Sequence, residues 1–112
     1  MIVRVEGDGR AAVAELIGER PECVTVFGAD RCADCRRAKA WLARHRVPFA
    51  EFDTDADETA RARAVLVAGG RPNIPVLVAP DGLVLVEPTN RELAGALAAY
   101  RRPRGAAPAR CR

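Results

Sequence analysis

The sequence predicts an α/β fold, a central mixed β-sheet flanked by helices on both faces, and three observations carry that prediction. β-prone apolar runs alternate along the chain with runs of helical period. A pair of cysteines, Cys32-Ala33-Asp34-Cys35, lies directly between a β-run, Val24-Thr25-Val26-Phe27, and an amphipathic run from Arg36 to His45. The 112 residues, 49% hydrophobic and 29% charged, suit one globular domain with a single modest core.

Taken in order, Ile2–Val5 reads as a short strand, and Arg10–Gly18, with Ala11, Ala14, Leu16 and Ile17, as a short helix. Cys23–Phe27 is a strongly β-prone second strand, followed by a helix over Cys32–His45. Val47–Phe52 reads as a third strand in which Pro48 signals an edge position or an early bend. Thr54-Asp55-Ala56-Asp57 offers N-cap candidates for a helix to about Ala68, which Gly69-Gly70 ends. Pro75–Ala79 and Leu83–Val86 flank Pro80-Asp81-Gly82 as a hairpin. Thr89-Asn90-Arg91-Glu92 is a capping box for a last helix to about Tyr100. The order is βαβαβαββα, so strands separated by helices are expected to pair in parallel and the final hairpin to add an antiparallel strand. Residues 1–100 form the domain. Residues 101–112, rich in Arg, Pro, Ala and Gly without periodicity, are expected to be a flexible basic tail.

The cysteine spacing has a chemical reason. Side chains three apart share one face of a helix, which brings Cys32 and Cys35 within disulfide range. At a helix start, unpaired N–H groups and the positive end of the macrodipole favour a thiolate, and Cys32 is nearest that end. Cys32 is therefore the expected nucleophile and Cys35 the second sulfur. Arg31, Arg36 and Arg37 add positive charge, whereas Asp34 opposes the thiolate, so Arg36 and Asp34 are expected to tune the pair. A zinc site needs two further ligands, and Cys23, His45 and Cys111 form no second knuckle, so no metal is expected. Cys23 reads as a small buried hydrophobe and Cys111 as a mobile, exposed thiol.

No stretch is long or apolar enough to span a bilayer, and Arg4 and Glu6 interrupt the N-terminus too early for a signal peptide, so a cytoplasmic location is expected. In that compartment a C-x-x-C cycles, whereas a structural disulfide does not persist. The net charge of +3 is small and concentrated toward the tail, which reads as a solvated surface rather than a specific nucleic-acid site. Arginine greatly outnumbers lysine, with Lys39 alone, as in the codon bias of a G+C-rich genome.

Three stretches resemble a known family: Val26-Phe27 before the dithiol; Ala38-Lys39, Trp41-Leu42 and Val47-Pro48-Phe49; and Gly70 leading to Asn73-Ile74-Pro75-Val76. Together with the element order they look like the thioredoxin fold, and specifically its glutaredoxin branch. Arg31 and Val26 stand where thioredoxin proper has a Trp and a buried Asp. The resemblance implies a cis bond before Pro75, which would face Cys32 and leave the Ile74 backbone free to pair with an extended substrate. Arg31 is a candidate for binding a carboxylate or an acidic patch of a partner. Glutathione-binding members carry a Gly-Gly and an acidic residue after the last strand; here Glu87-Pro88-Thr89-Asn90 stands instead. The stretch Pro80 to Pro88 is similar to mycoredoxins, which use mycothiol, and compatible with redoxins that reduce ribonucleotide reductase.

The resemblance implies a monomeric thiol-disulfide oxidoreductase acting on protein disulfides or mixed disulfides, with no bound cofactor. Its reductant would be a low-molecular-weight thiol, mycothiol or glutathione, or a flavin-linked reductase. Two alternatives follow from the same likeness. One is an iron–sulfur cluster carrier, against which Cys35 and Asp34 argue; the other is a non-catalytic binding module on the same scaffold.

Overall fold

The computed structural model describes residues 1–106 and 111. Its elements are β1 (Ile2–Val3), α1 (Gly7–Glu19), β2 (Val24–Gly28), α2 (Ala33–Arg44), β3 (Phe49–Asp53), α3 (Glu58–Val67), β4 (Val76–Val78), β5 (Val84–Val86) and α4 (Asn90–Leu97), which runs into a 3-10 turn over Ala98–Tyr100. The order of elements is the one expected, and the arrangement is the thioredoxin-like fold.

The five strands form one sheet in the order β1-β5-β4-β2-β3. β2 pairs in parallel with β3, Thr25 opposite Ala50 and Phe27 opposite Phe52, and antiparallel with β4, Phe27 opposite Val76. β3 is an edge strand, as Pro48 signalled: Pro48 lies just before it and gives only its carbonyl to the Val24 N–H, at 3.0 Å. The expected parallel pairing of helix-separated strands fails for β1. It runs to the far edge and pairs antiparallel with β5, Ile2 opposite Leu85. The hairpin that returns β5 leaves that strand's outer edge open, and two residues suffice to cover it.

Strand alternation divides the core between the two faces. Phe27, Val76, Val78, Val84 and Val86 meet Leu16 of α1 and Ala60, Ala64 and Val67 of α3. On the other face Val24, Val26, Leu77 and Leu85 meet Ala38, Trp41 and Leu42 of α2 and Leu93 and Leu97 of α4. β2 is buried at all five residues, so the helix that follows it starts from a fully buried strand.

The helix ends have local causes. Asp57 caps α3 by accepting from the Thr59 and Ala60 N–H groups, at 2.9 and 3.2 Å. Thr89 and Glu92 form the expected reciprocal box on α4. α2 ends in a Schellman arrangement, with Val47 N–H donating to Leu42 O and Arg46 N–H to Ala43 O. The C′ residue, Arg46, therefore sits at φ +57°, a place more often taken by glycine. This turn aims Val47 into the core and starts β3.

Candidate redox site

Gly28 ends β2, four residues turn, and α2 begins at Ala33, so the dithiol falls where the strand hands over to the helix. Cys32 is the N-cap residue of α2, at φ −92° and ψ 116°. Its Sγ accepts the Cys35 N–H at 3.2 Å, the role that a serine or aspartate oxygen usually fills. A negative sulfur gains from this donor and from the helix end. Cys32 is half-buried and Cys35 fully buried, so a substrate sulfur reaches Cys32 first.

Cys35 is held as a neutral thiol. Burial, and then its hydrogen bond to Cys32, push its pKa up to about 12, against a backbone hydrogen bond from Ala29 and the positive charge of Lys39, which pull it down. Lys39 is fixed between Asp30, at 3.5 Å, and Glu51, and these carboxylates raise its own pKa. Gly28 gives Cys35 its space: a Cβ there would stand 2.9 Å from Cys35 Sγ. Gly28 O also accepts from Thr54, through the N–H at 2.9 Å and the hydroxyl at 3.3 Å, which ties the β3–α3 turn under the dithiol.

The Ile74–Pro75 bond is cis, as the resemblance implied. Because Val76 lies opposite Phe27, Pro75 is level with Gly28 at the dithiol end of the sheet. Pro75 O accepts from Glu87 N–H at 2.9 Å, whereas neither the N–H nor the C=O of Ile74 is bonded within the described residues.

The charged residues around the pair have specific partners. Arg31 forms a two-pronged pair with Asp55, at 2.7 and 3.0 Å, which holds the Asp55 carboxyl below its usual range. Arg36 donates to Asp30 O at 2.5 Å. Arg37 reaches Pro88 O at 2.8 Å and Asn90 Oδ1 at 2.7 Å, joining the first turns of α2 and α4, and lies 3.6 Å from Asp34. The roles of Arg37 as a cross-link and of Gly28 as a spacer escaped the sequence reading. A glycine ending a β-run before C-x-x-C was the one available signal for the second.

The structure corrects the reading of the other two cysteines. Cys23, 4% exposed, is disulfide-bonded to Cys111 across 88 residues, with the two Cα atoms 6.0 Å apart. Cys111 is thus not a free exposed thiol, and Cys23 is more than a small hydrophobe; a pairing over such a separation has no local signature. The chain after α4 is also held at Arg102, whose N–H donates to Arg46 O at 2.9 Å and whose carbonyl accepts from Arg46 Nε at 3.1 Å. Of the expected flexible tail, residues 107–110 and 112 lie outside the described residues. Among the described residues no group of three or more His, Cys, Asp or Glu side chains is placed to hold a metal ion. No helix among them is long and apolar enough to cross a membrane.

Comparison with known proteins gives two findings. The Glutaredoxin family model matches residues 24–84, from the first residue of β2 to the first of β5. Short segments are similar to proteins named "Global transcriptional regulator Spx". The chain is 54% identical over 30 residues to that of Streptococcus pneumoniae, covering 27% of this chain and 23% of the relative. It is 50% identical over 28 residues to that of Staphylococcus aureus, covering 25% and 21%. The Lactococcus lactis protein Spx 2 is 41% identical over 34 residues, covering 30% and 26%. The chain spans about a quarter of the length of these relatives.

Proposed function

The chain belongs to the glutaredoxin family, and from that membership we propose that it is a thiol-disulfide oxidoreductase reducing protein disulfides or mixed disulfides of a low-molecular-weight thiol. One observation carries the reading: an accessible Cys32 Sγ at a helix start, hydrogen-bonded by the Cys35 amide, beside a buried Cys35 that keeps its proton.

The steps follow from that asymmetry. The Cys32 thiolate attacks one sulfur of a substrate disulfide; the new S–S bond forms as the old one breaks, and the other sulfur departs as thiolate and takes a proton. Cys32 is then neutral and no longer the anionic acceptor that favoured a protonated Cys35. The Ala29 hydrogen bond and the Lys39 charge remain, so Cys35 loses its proton more readily at the moment it is needed. Cys35 attacks Cys32 Sγ and expels the second substrate sulfur. Two electrons have passed to the substrate, and Cys32–Cys35 is left oxidised. The unbonded Ile74 N–H and C=O, level with the dithiol, can align an extended substrate by strand-like pairing. Arg31, though paired with Asp55, is exposed and is the cation through which an acidic substrate segment would be met.

In this reading the protein needs no bound cofactor, acts as a monomer in the cytoplasm, where reducing thiols bear on the Cys23–Cys111 bond as well, and recovers its dithiol from mycothiol, glutathione or a flavin-linked reductase. The test supplies the oxidised protein in turn with glutathione, mycothiol and a thioredoxin reductase with NADPH, and follows reduction of Cys32–Cys35 and of a mixed-disulfide substrate. Turnover with at least one reductant supports the proposal. Absence of turnover with all three overturns it. The short likeness to the named regulators favours, as second reading, a binding module whose dithiol state sets partner affinity. A brown, dimeric preparation would favour the cluster carrier instead.

A further inference from the structure

The Cys23–Cys111 disulfide lies at the pole of the molecule opposite the dithiol. Cys23 directly precedes β2, whose other end, Gly28, packs on Cys35. Five strand residues at ~3.3 Å each put the two sulfur pairs roughly 17 Å apart. Neither Cys32 nor Cys35 can reach this bond within one molecule, so only an outside thiol can open it.

The two sulfurs of the bond differ in access. Cys23 is buried, 4% exposed, directly before β2; Cys111 is only half-buried. Thiolate exchange proceeds in line, the attacking sulfur arriving opposite the leaving one. An attacker therefore meets Cys111 Sγ from outside and expels Cys23 inward. Little else holds the described part of the segment before Cys111, residues 101–106. Arg101, Pro103, Arg104, Gly105 and Ala106 are exposed, and among the described residues the attachment other than the disulfide is the Arg102–Arg46 pair.

We propose that Cys23–Cys111 is a second thiol-exchange site, independent of the dithiol, at which a low-molecular-weight thiol modifies Cys111 and releases the C-terminal segment. The thiolate RS⁻ bonds to Cys111 Sγ as the Cys23–Cys111 bond breaks, and the Cys23 thiolate takes a proton from solvent. Cys111 is left as the mixed disulfide with R. A second RS⁻ attacks the R sulfur of that adduct, releases RSSR and returns Cys111 as a thiol. Buried Cys23 is poorly placed to take up an adduct, so the modification is directed to one sulfur of the pair.

The test uses the full-length double variant Cys32→Ser, Cys35→Ser, so that its result does not depend on the proposed oxidoreductase activity. The oxidised variant is incubated with glutathione, the adduct mass is followed on the intact protein, and its position is found by peptide mapping. The expected result is a single glutathione adduct on Cys111, at least tenfold in excess over Cys23. Trypsin should then cut after Arg101 or Arg104 on the order of tenfold faster than in the oxidised protein, since local release governs cleavage. A disulfide that survives a large excess of glutathione, an adduct chiefly on Cys23, or an unchanged cleavage rate would each overturn the proposal. Wild-type protein that reduces substrate normally while the double variant forms no adduct separates this failure from failure of the oxidoreductase reading.

Discussion

Gly28 and Cys35 are packed so closely that a single methyl group on the glycine would stand 2.9 Å from the cysteine sulfur and 3.2 Å from its Cβ. The end of β2 thereby sets how far Cys35 lies beneath Cys32. Gly28→Ala is expected to cost about 1–3 kcal/mol in stability through overpacking. It should also slow the step in which Cys35 resolves a mixed disulfide while leaving the first attack by Cys32 nearly unchanged. Single-turnover measurements that separate the two steps check this; equal slowing of both would contradict it.

Cys32→Ser should abolish reduction of protein disulfides. Cys35→Ser should block dithiol turnover and let a mixed disulfide accumulate on Cys32, because the accessible sulfur can still attack. Mass spectrometry of the variant after exposure to a disulfide substrate detects the trapped adduct, and its absence would reverse the assignment of nucleophile.

The neutral Cys35 thiol makes a pH prediction with a definite sign. Its value in the folded protein, about 12, is above that of an ordinary thiol, about 8.5. The stability gained from burying the neutral form is therefore complete below the ordinary thiol range and is lost as the pH rises from there toward 12. Reduced protein should lose stability over that alkaline window more steeply than Cys35→Ala does. Iodoacetamide at neutral pH should label Cys32 in the folded state and Cys35 only after unfolding.

Asp34 lies 3.6 Å from Arg37, and both side chains are substantially exposed. An exposed pair is screened and weakly coupled to its surroundings. Asp34→Asn is therefore expected to raise the alkylation rate of Cys32 by less than about threefold at low salt, with the difference vanishing near 1 M salt. A tenfold change that persists in salt would mean that Asp34 acts on the sulfur directly. Arg37→Ala should do more, because it removes the two hydrogen bonds to Pro88 and Asn90 that join α2 to α4. A loss of about 1–3 kcal/mol in denaturant unfolding is expected.

The Cys23–Cys111 bond should stabilise the protein by less than its sequence span suggests. Closing 88 residues in the unfolded chain is offset in the folded one, where Cys111 already stands only nine positions along the chain from the hydrogen-bonded Arg102. The difference in closure entropy for spans near 88 and 9 residues is about 2 kcal/mol, against about 4–5 for the full loop alone. Denaturant unfolding of Cys111→Ser beside the oxidised protein measures it.

What was legible in the sequence was what local chemistry determines. The element order followed from apolar periodicity, the cap of α3 lay among the candidates Thr54 to Asp57, the box of α4 followed from Thr89 and Glu92, and Pro48 offered an edge position or a bend for β3, of which the structure has the edge. The dithiol at a strand-to-helix junction was visible because its signal spans four residues. Contacts made by the assembled sheet were not visible. The antiparallel docking of β1 on β5, the Arg37 link to Asn90, the Arg31–Asp55 pair and the Cys23–Cys111 bond each join residues separated by 24 or more positions. No periodicity or cap encodes such a pairing; only the completed fold brings the partners together.

The position of β3 at the sheet edge has a consequence for self-association. An open edge offers unpaired N–H and C=O groups to the strands of other chains, and aggregation starts where that edge is long, flat and apolar. Here Pro48 stands at its entrance, and Glu51, salt-bridged to Lys39, and Asp53 alternate along it with partly buried phenylalanines. The opposite edge, β1, is only two residues long. Charge along one border and brevity along the other leave a poor template for cross-β growth, so the fold protects itself at both margins of its sheet.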